Sequence, residues 1–180
     1  MIFTKTSLQG VFIIDIEKIE DVRGFFARTW CEKEFGEHGL ATHFLQASIS
    51  YSKKKGTLRG LHYQASPCQE AKLVRCIRGQ TFSAVVDLRP DSLTFMQHFS
   101  AIMEAQDYQA LYVPPGLAHG FQTLTDHTEV FYHMSESYQP AYARGVRWDD
   151  PAFAIRWPED ERTILDRDNS YPDFEAEAVE

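Results

Sequence analysis

The chain has no apolar run near the roughly 18 residues that a membrane-spanning helix needs. Its start, MIFTKTSLQGVFIID, has too short an apolar part and no small-residue cleavage site, so it does not read as a secretion signal. Cysteine is scarce: Cys31, Cys68 and Cys76 are an odd set without C-x-x-C spacing. That pattern points to reduced thiols in a cytoplasm and argues against a disulfide framework or a structural zinc site. Basic residues are outnumbered, 18 Lys and Arg against 26 Asp and Glu for a net charge of −8, and the one basic block is Lys53-Lys54-Lys55. A nucleic-acid surface is therefore not expected. An anionic small ligand remains compatible if a few arginines converge. Repeats, low-complexity segments and linkers are lacking, and so is helical periodicity beyond a turn or two.

What is present is an ordinary globular composition, 43% apolar and 24% charged over 180 residues, enough for one cored domain spanning 1–180. Strand signals recur at short spacing. Residues 11–16 form an apolar run, 25–30 (FFARTW) is rich in aromatic and β-branched residues, and 81–88 alternates with Phe82, Ala84, Val86 and Leu88 on one face. In 44–52, Leu45, Ala47, Ile49 and Tyr51 share a side opposite Gln46, Ser48, Ser50 and Ser52. Further strands are expected at 96–104, 109–113, 119–124 and 129–135, with one or two helical turns at 31–38. This spacing predicts an all-β sandwich or barrel, with the Pro- and Asp-rich tail from Trp148 wrapping it as loops and short turns.

One stretch is too polar for a plain core strand. GTLRGLHYQASPCQEAKLVRCIR, residues 56–78, carries His62, Lys72 and three arginines among apolar neighbours. Metal binding in a β-barrel needs several clustered ligands, yet Gln64 stands two residues after His62 and the next strand offers Lys72, an ammonium that repels a cation. Only His62 and the distant His119 remain, so no metal is expected. Without one, a histidine that takes a proton and an ammonium that steadies an oxyanion suit proton abstraction beside a carbonyl. The residues alone leave a second reading open, in which His62 is a hydrogen-bonded core histidine and Lys72 reaches outward to water.

A series of motifs narrows this. Arg23-Gly24-Phe25-Phe26, then 56–64 (GTLRGLHYQ), Lys72-Leu73-Val74, 85–89 (VVDLR), 117–121 (LAHGF) and 144–151 (RGVRWDDP) occur in that order. Together they resemble the dTDP-4-dehydrorhamnose 3,5-epimerase family, from about Gly10 to Phe174. The resemblance implies a cupin-like double-stranded β-helix jelly roll, a cytoplasmic homodimer without metal or organic cofactor. It also implies a nucleotide-diphosphate 4-keto-6-deoxy sugar as substrate, inverted at C3 and C5 through an enolate. By position His62 matches the family's base, Asp168 its orienting carboxylate, Tyr132 the opposing acid and Lys72 the enolate stabiliser. Asp166 is the competing carboxylate. His119, Gln46 and Ser48 match further substrate contacts, Arg23 and Arg59 the diphosphate ligands, and Phe26 and Tyr138 the aromatic contacts to the base.

Two features cut across the match. In a regular strand Arg59 and His62 point to opposite faces, so both reach one ligand only with a bulge at Gly60, with Arg59 at the strand's mouth, or with help from a neighbouring subunit. Ser48 replaces the family's usual Asn, Arg28 stands where an acidic residue is common, and the lysine turn is one residue longer. These changes leave proton transfer intact and bear on substrate identity, which keeps a single-centre epimerase in view. A metal-dependent cupin and a catalytically silent sugar-nucleotide-binding module are the readings from other classes.

Overall fold

A computed structural model of the chain describes residues 1–176. Its strands are β1 (Ile2–Lys5), β2 (Phe12–Asp15), β3 (Ile19–Asp21), β4 (Gly24–Phe26), β5 (Gln46–Ser52), β6 (Leu58–Gln64) and β7 (Lys72–Arg78). They continue with β8 (Gln80–Asp87), β9 (His98–Glu104), β10 (Ala110–Val113), β11 (Leu117–Thr123), β12 (Thr128–Met134) and β13 (Ala143–Gly145). Two short helices, α1 (Glu32–Glu37) and α2 (Asp166–Asn169), lie outside the sheets.

The strands pair antiparallel into a six-stranded sheet, β1-β2-β10-β7-β12-β5, and a five-stranded sheet, β13-β6-β11-β8-β9. From β5 to β8 the chain alternates between the sheets at every strand, and from β10 to β13 it does so again. Crossing back and forth between two facing sheets makes this a cupin-like jelly roll. β3 and β4 form a separate hairpin. Among the described residues no helix is long and apolar enough to cross a membrane.

Three apolar clusters hold the layers. Val74 and Cys76 of β7, Leu111 and Val113 of β10, and Val130 of β12 meet Val85 of β8 and Leu117 and Phe121 of β11 between the sheets. Ala84, Val86 and Leu88 pack on the outer face with Phe153 and Trp157 of the tail. Phe35 of α1 covers the outer face of the six-stranded sheet with Phe12, Leu73 and Tyr112. Each fully buried side chain of this size contributes about 1.5–3 kcal/mol. Along β7 the inward series runs Lys72, Val74, Cys76, so one end of the interior is apolar and the other carries charge.

One expectation is corrected here, and the facing of β5, which its alternation left open, is settled. The strand expected at 25–30 is only the tip of the β3–β4 hairpin, because a three-residue partner strand supplies no ladder beyond Phe26. In β5 the apolar side faces outward: Ile49 and Tyr51 are exposed while Ser50 and Ser52 are buried. The inward serines border the polar end of the interior, and the outward apolar row lies on an edge strand.

Candidate active site

Gly60 organises the polar end. The pairing of β6 with β11 matches His62 to His119 but Arg59 to Phe121, so β6 carries one extra residue between these pairs. This bulge turns Arg59 and His62, three positions apart, to the same side. Gly60 has φ +118°, and a Cβ there would lie 2.6 Å from the Cα of Gly120 and 2.9 Å from the His119 carbonyl oxygen. Only glycine permits so close a crossing of the two strands.

Arg59, His62, Lys72, His119, Tyr132 and Asp168 all line one cavity of about 250 Å³. His62 Nε2 donates to Asp168 Oδ1 at 2.8 Å, and the bulge N–H of Gly60 donates to Asp168 Oδ2 at 3.1 Å. Asp168 is buried, whereas Asp166 is exposed. Burial pushes the Asp168 carboxyl up, but the hydrogen bonds and charge of His62, the Gly60 N–H and Arg167 more than offset this and hold it below its ordinary value. An ionised carboxylate fixes the histidine tautomer with the proton on Nε2. Nδ1 then has no hydrogen-bond partner among the described residues.

Lys72 crosses the gap between the sheets. Its ammonium donates to the His62 carbonyl at 2.9 Å and pairs with Glu70 at 3.0 Å. His119 is driven by burial, and then by the charges of Lys72 and His62, down to about 3, so it is neutral near pH 7. Its Nε2 is buried without a protein partner, an arrangement suited to a polar group of a ligand. Burial also pushes the Tyr132 phenol up against the pull of Arg59, which keeps its proton in place. Arg59 itself is steadied by Ser52 Oγ at 3.3 Å and the Tyr51 carbonyl at 3.1 Å.

A second cavity of about 310 Å³ adjoins the first, sharing His62, Lys72, Tyr132 and Arg167 and adding Tyr138, Arg144 and Tyr171. Gln46 accepts the Tyr138 N–H at 2.6 Å, and Ser48 sits half-buried opposite Tyr132 across β5 and β12. Arg23 and Phe26 do not join either cavity. Arg23 sits at the exposed turn of the β3–β4 hairpin, paired with Asp21 at 2.5 Å. Phe26 is 70% exposed beside a different hollow lined by Met1, Glu17, Ile19, Arg28 and Glu34. Within one chain they are not site residues, because the hairpin projects from the sheets.

Two residues near the chemistry, Arg167 and Glu70, received no role from the sequence, and Gln64 was read there only against a metal site. Arg167 donates to Asp168 Oδ1 at 3.1 Å, and its Nη2 comes within 3.2 Å of His62 Nε2. With the Nε2 proton given to Asp168, that guanidinium is a neighbouring charge and not a partner for the ring. Its signal was its place inside Asp166-Arg167-Asp168. Glu70 accepts from Gln64 Nε2 at 2.8 Å. Glu70 is two residues before Lys72 and so on the same side of an extended chain.

The arrangement is a half-exposed histidine on a buried aspartate, with an ammonium and a protonated tyrosine about one cavity. The family model of dTDP-4-dehydrorhamnose 3,5-epimerase matches residues 5–176. The dTDP-4-dehydrorhamnose 3,5-epimerase of Methanothermobacter thermautotrophicus is 41% identical over 172 residues, covering 94% of this chain and 92% of that protein. The crystal structure of the enzyme of that name from Elizabethkingia anophelis superposes with a TM-score of 0.95 at 34% identity, covering 100% of this chain and 99% of the other. That from Bacillus anthracis, with TDP and PPi bound, gives 0.91 at 36% identity over 96% and 98%. Matched by this family model over nearly its whole length and 41% identical to one of the relatives, this chain belongs to the dTDP-4-dehydrorhamnose 3,5-epimerase family.

Proposed function

We propose that the protein inverts C3 and C5 of a nucleotide-diphosphate 4-keto-6-deoxy sugar by proton transfer through an enolate. The carrying observation is the His62–Asp168 pair sharing a cavity with Lys72 and Tyr132. The C4 ketone acidifies the hydrogens on both neighbouring carbons. His62, through the nitrogen not given to Asp168, takes one of them, and Asp168 stabilises the imidazolium that forms. The electron pair moves to the ketone oxygen, where the Lys72 ammonium stabilises the enolate. Tyr132 returns a proton to the carbon from the opposite face, and solvent resets both groups. His119 Nε2 takes a polar group of the sugar.

Arg59 is assigned to the diphosphate and Tyr138 to the nucleotide base of such a ligand, and the TDP and PPi held by the Bacillus anthracis relative support a nucleotide diphosphate as the ligand class. Gln46 and Ser48 flank that end. The reading includes a homodimer. The outward apolar row of β5 and the projecting hairpin, with Phe26 exposed, suit contact with a second copy that would bring Arg23 and Phe26 to the cavity. Three free thiols, Cys31, Cys68 and Cys76, favour the cytoplasm.

The test is solvent-deuterium incorporation with product stereochemistry. Deuterium at C3 and C5 with inversion at both is expected, and His62→Ala should abolish exchange while nucleotide binding survives. Exchange at one carbon only would leave a single-centre epimerase. Activity within a few-fold of wild type in His62→Ala would remove His62 as the base.

A further inference from the structure

The proposed chemistry needs Lys72 to meet the enolate oxygen as a charged, correctly aimed ammonium. Its surroundings oppose the charge. Arg59, Arg144 and Arg167 line the same two cavities, and His62 and His119 face it from β6 and β11. Cations crowded in a partly desolvated space disfavour one another's charge. Two carboxylates line these cavities, and Asp168 is committed to His62, Gly60 and Arg167. Glu70 is the other, and it faces Lys72.

We infer that Glu70 is a positioning residue that pairs with the Lys72 ammonium and directs it into the cavity shared by His62 and Tyr132. An ammonium has three N–H donors. The His62 carbonyl takes one at 2.9 Å and Glu70 Oε1 a second at 3.0 Å, which fixes the direction of the third. Glu70 is itself held rigidly, its side chain 8% exposed and its Oε2 accepting from Gln64 Nε2 at 2.8 Å. The two N–H groups of Gln64 are shared among Glu70 and the carbonyls of Cys68 and Ser137, and its Oε1 accepts the Gln139 N–H. The strand carrying the base thereby locks the carboxylate that aims the lysine. Spatial order of this kind is what makes an electrostatic stabiliser effective without reorganisation during the reaction.

This inference rests on the proposed epimerase function, and the experiment separates the two. The readout is steady-state solvent exchange at C3 and C5 in wild type, Glu70→Gln, Lys72→Met and the double variant. Glutamine keeps the size and the contact with Gln64 but loses the charge. Glu70→Gln should lower kcat about tenfold or more with KM within about twofold. In the Lys72→Met background the same change should alter the rate by less than about twofold, because a residue acting through Lys72 has nothing left to act on. Equal losses in both backgrounds, or a Glu70→Gln enzyme within about twofold of wild type, overturns the inference. An unchanged unfolding midpoint in Glu70→Gln confirms that the loss is not one of folding. A wild-type protein with no exchange overturns the function itself before any variant is compared.

Discussion

Gly60 gives its backbone N–H to Asp168 Oδ2 at 3.1 Å, so the bulge of β6 and the carboxylate that orients His62 are one structure. The same bulge brings Arg59 and His62 to one cavity. Gly60→Ala is therefore expected to damage more than backbone comfort. Its Cβ would meet the Gly120 backbone at 2.6 Å, in a positive-φ conformation that an L side chain rarely adopts. Stability should fall by about 2 kcal/mol or more, read from denaturant midpoints. The surviving folded fraction should lose exchange activity as well. A variant of wild-type stability and rate would mean that the two strands part easily here.

Asp168→Asn tests the other half of this relationship. Both carboxylate oxygens accept: Oδ1 from His62 and Arg167, Oδ2 from Gly60. An amide has one oxygen and one NH2, so it must present a donor to a donor on one side. Loss of about 1–3 kcal/mol is expected from the unmatched group. Exchange should slow by about 10²–10⁴-fold, since the histidine loses its fixed tautomer and its counter-charge. A rate close to wild type would show that His62 needs no carboxylate.

How far the sequence alone reached follows from which residues depend on local pattern. Strand alternation in 81–88 marked Phe82, Ala84, Val86 and Leu88 as one face, and they pack on the outer cluster. The polar excess around His62 and Lys72 marked a pocket wall. The conflict between Arg59 and His62 left three solutions, because an odd separation admits few, and the structure takes the one with a bulge at Gly60. β5 shows the limit. Its alternation was legible, but which side faced the interior was not, since a polar cavity and an external apolar contact reverse the usual sense. Arg167 was missed because its neighbour His62 is brought from 105 positions away, and Glu70 because its pairing with Lys72 and Gln64 depends on rotamers that no spacing encodes.

His119 gives a prediction in pH. Its folded value is pressed down to about 3 by burial and by Lys72 and His62, whereas an unfolded histidine titrates near 6.5. Between those values the unfolded chain binds a proton that the folded chain refuses. Stability must therefore fall as pH falls from about 6.5 towards 3, with a slope up to about 1.4 kcal/mol per pH unit from this group. His119→Gln removes the term. Relative to wild type the variant should gain up to about 2 kcal/mol between pH 8 and pH 5, measured by urea unfolding at each pH. A difference that stays flat over that interval would show that folding leaves the titration of His119 unchanged.

The exposed hairpin supports a last experiment. Arg23 and Phe26 lie outside both cavities of their own chain, with the Arg23 side chain 85% exposed. In the proposed homodimer they serve the cavity of the second copy. Arg23→Ala and His62→Ala should each be nearly inactive alone. When the two are unfolded together and refolded, half of the dimers combine one copy of each. In such a dimer the cavity of the Arg23→Ala chain has an intact His62 and receives an intact Arg23 from the other chain, while the second cavity lacks both. Activity should return to about one quarter of wild type, because closed two-fold symmetry gives two equivalent sites and one is repaired in each mixed dimer. No recovery, in a mixture shown by mass photometry to contain dimers, would mean that Arg23 acts within its own chain or not at all.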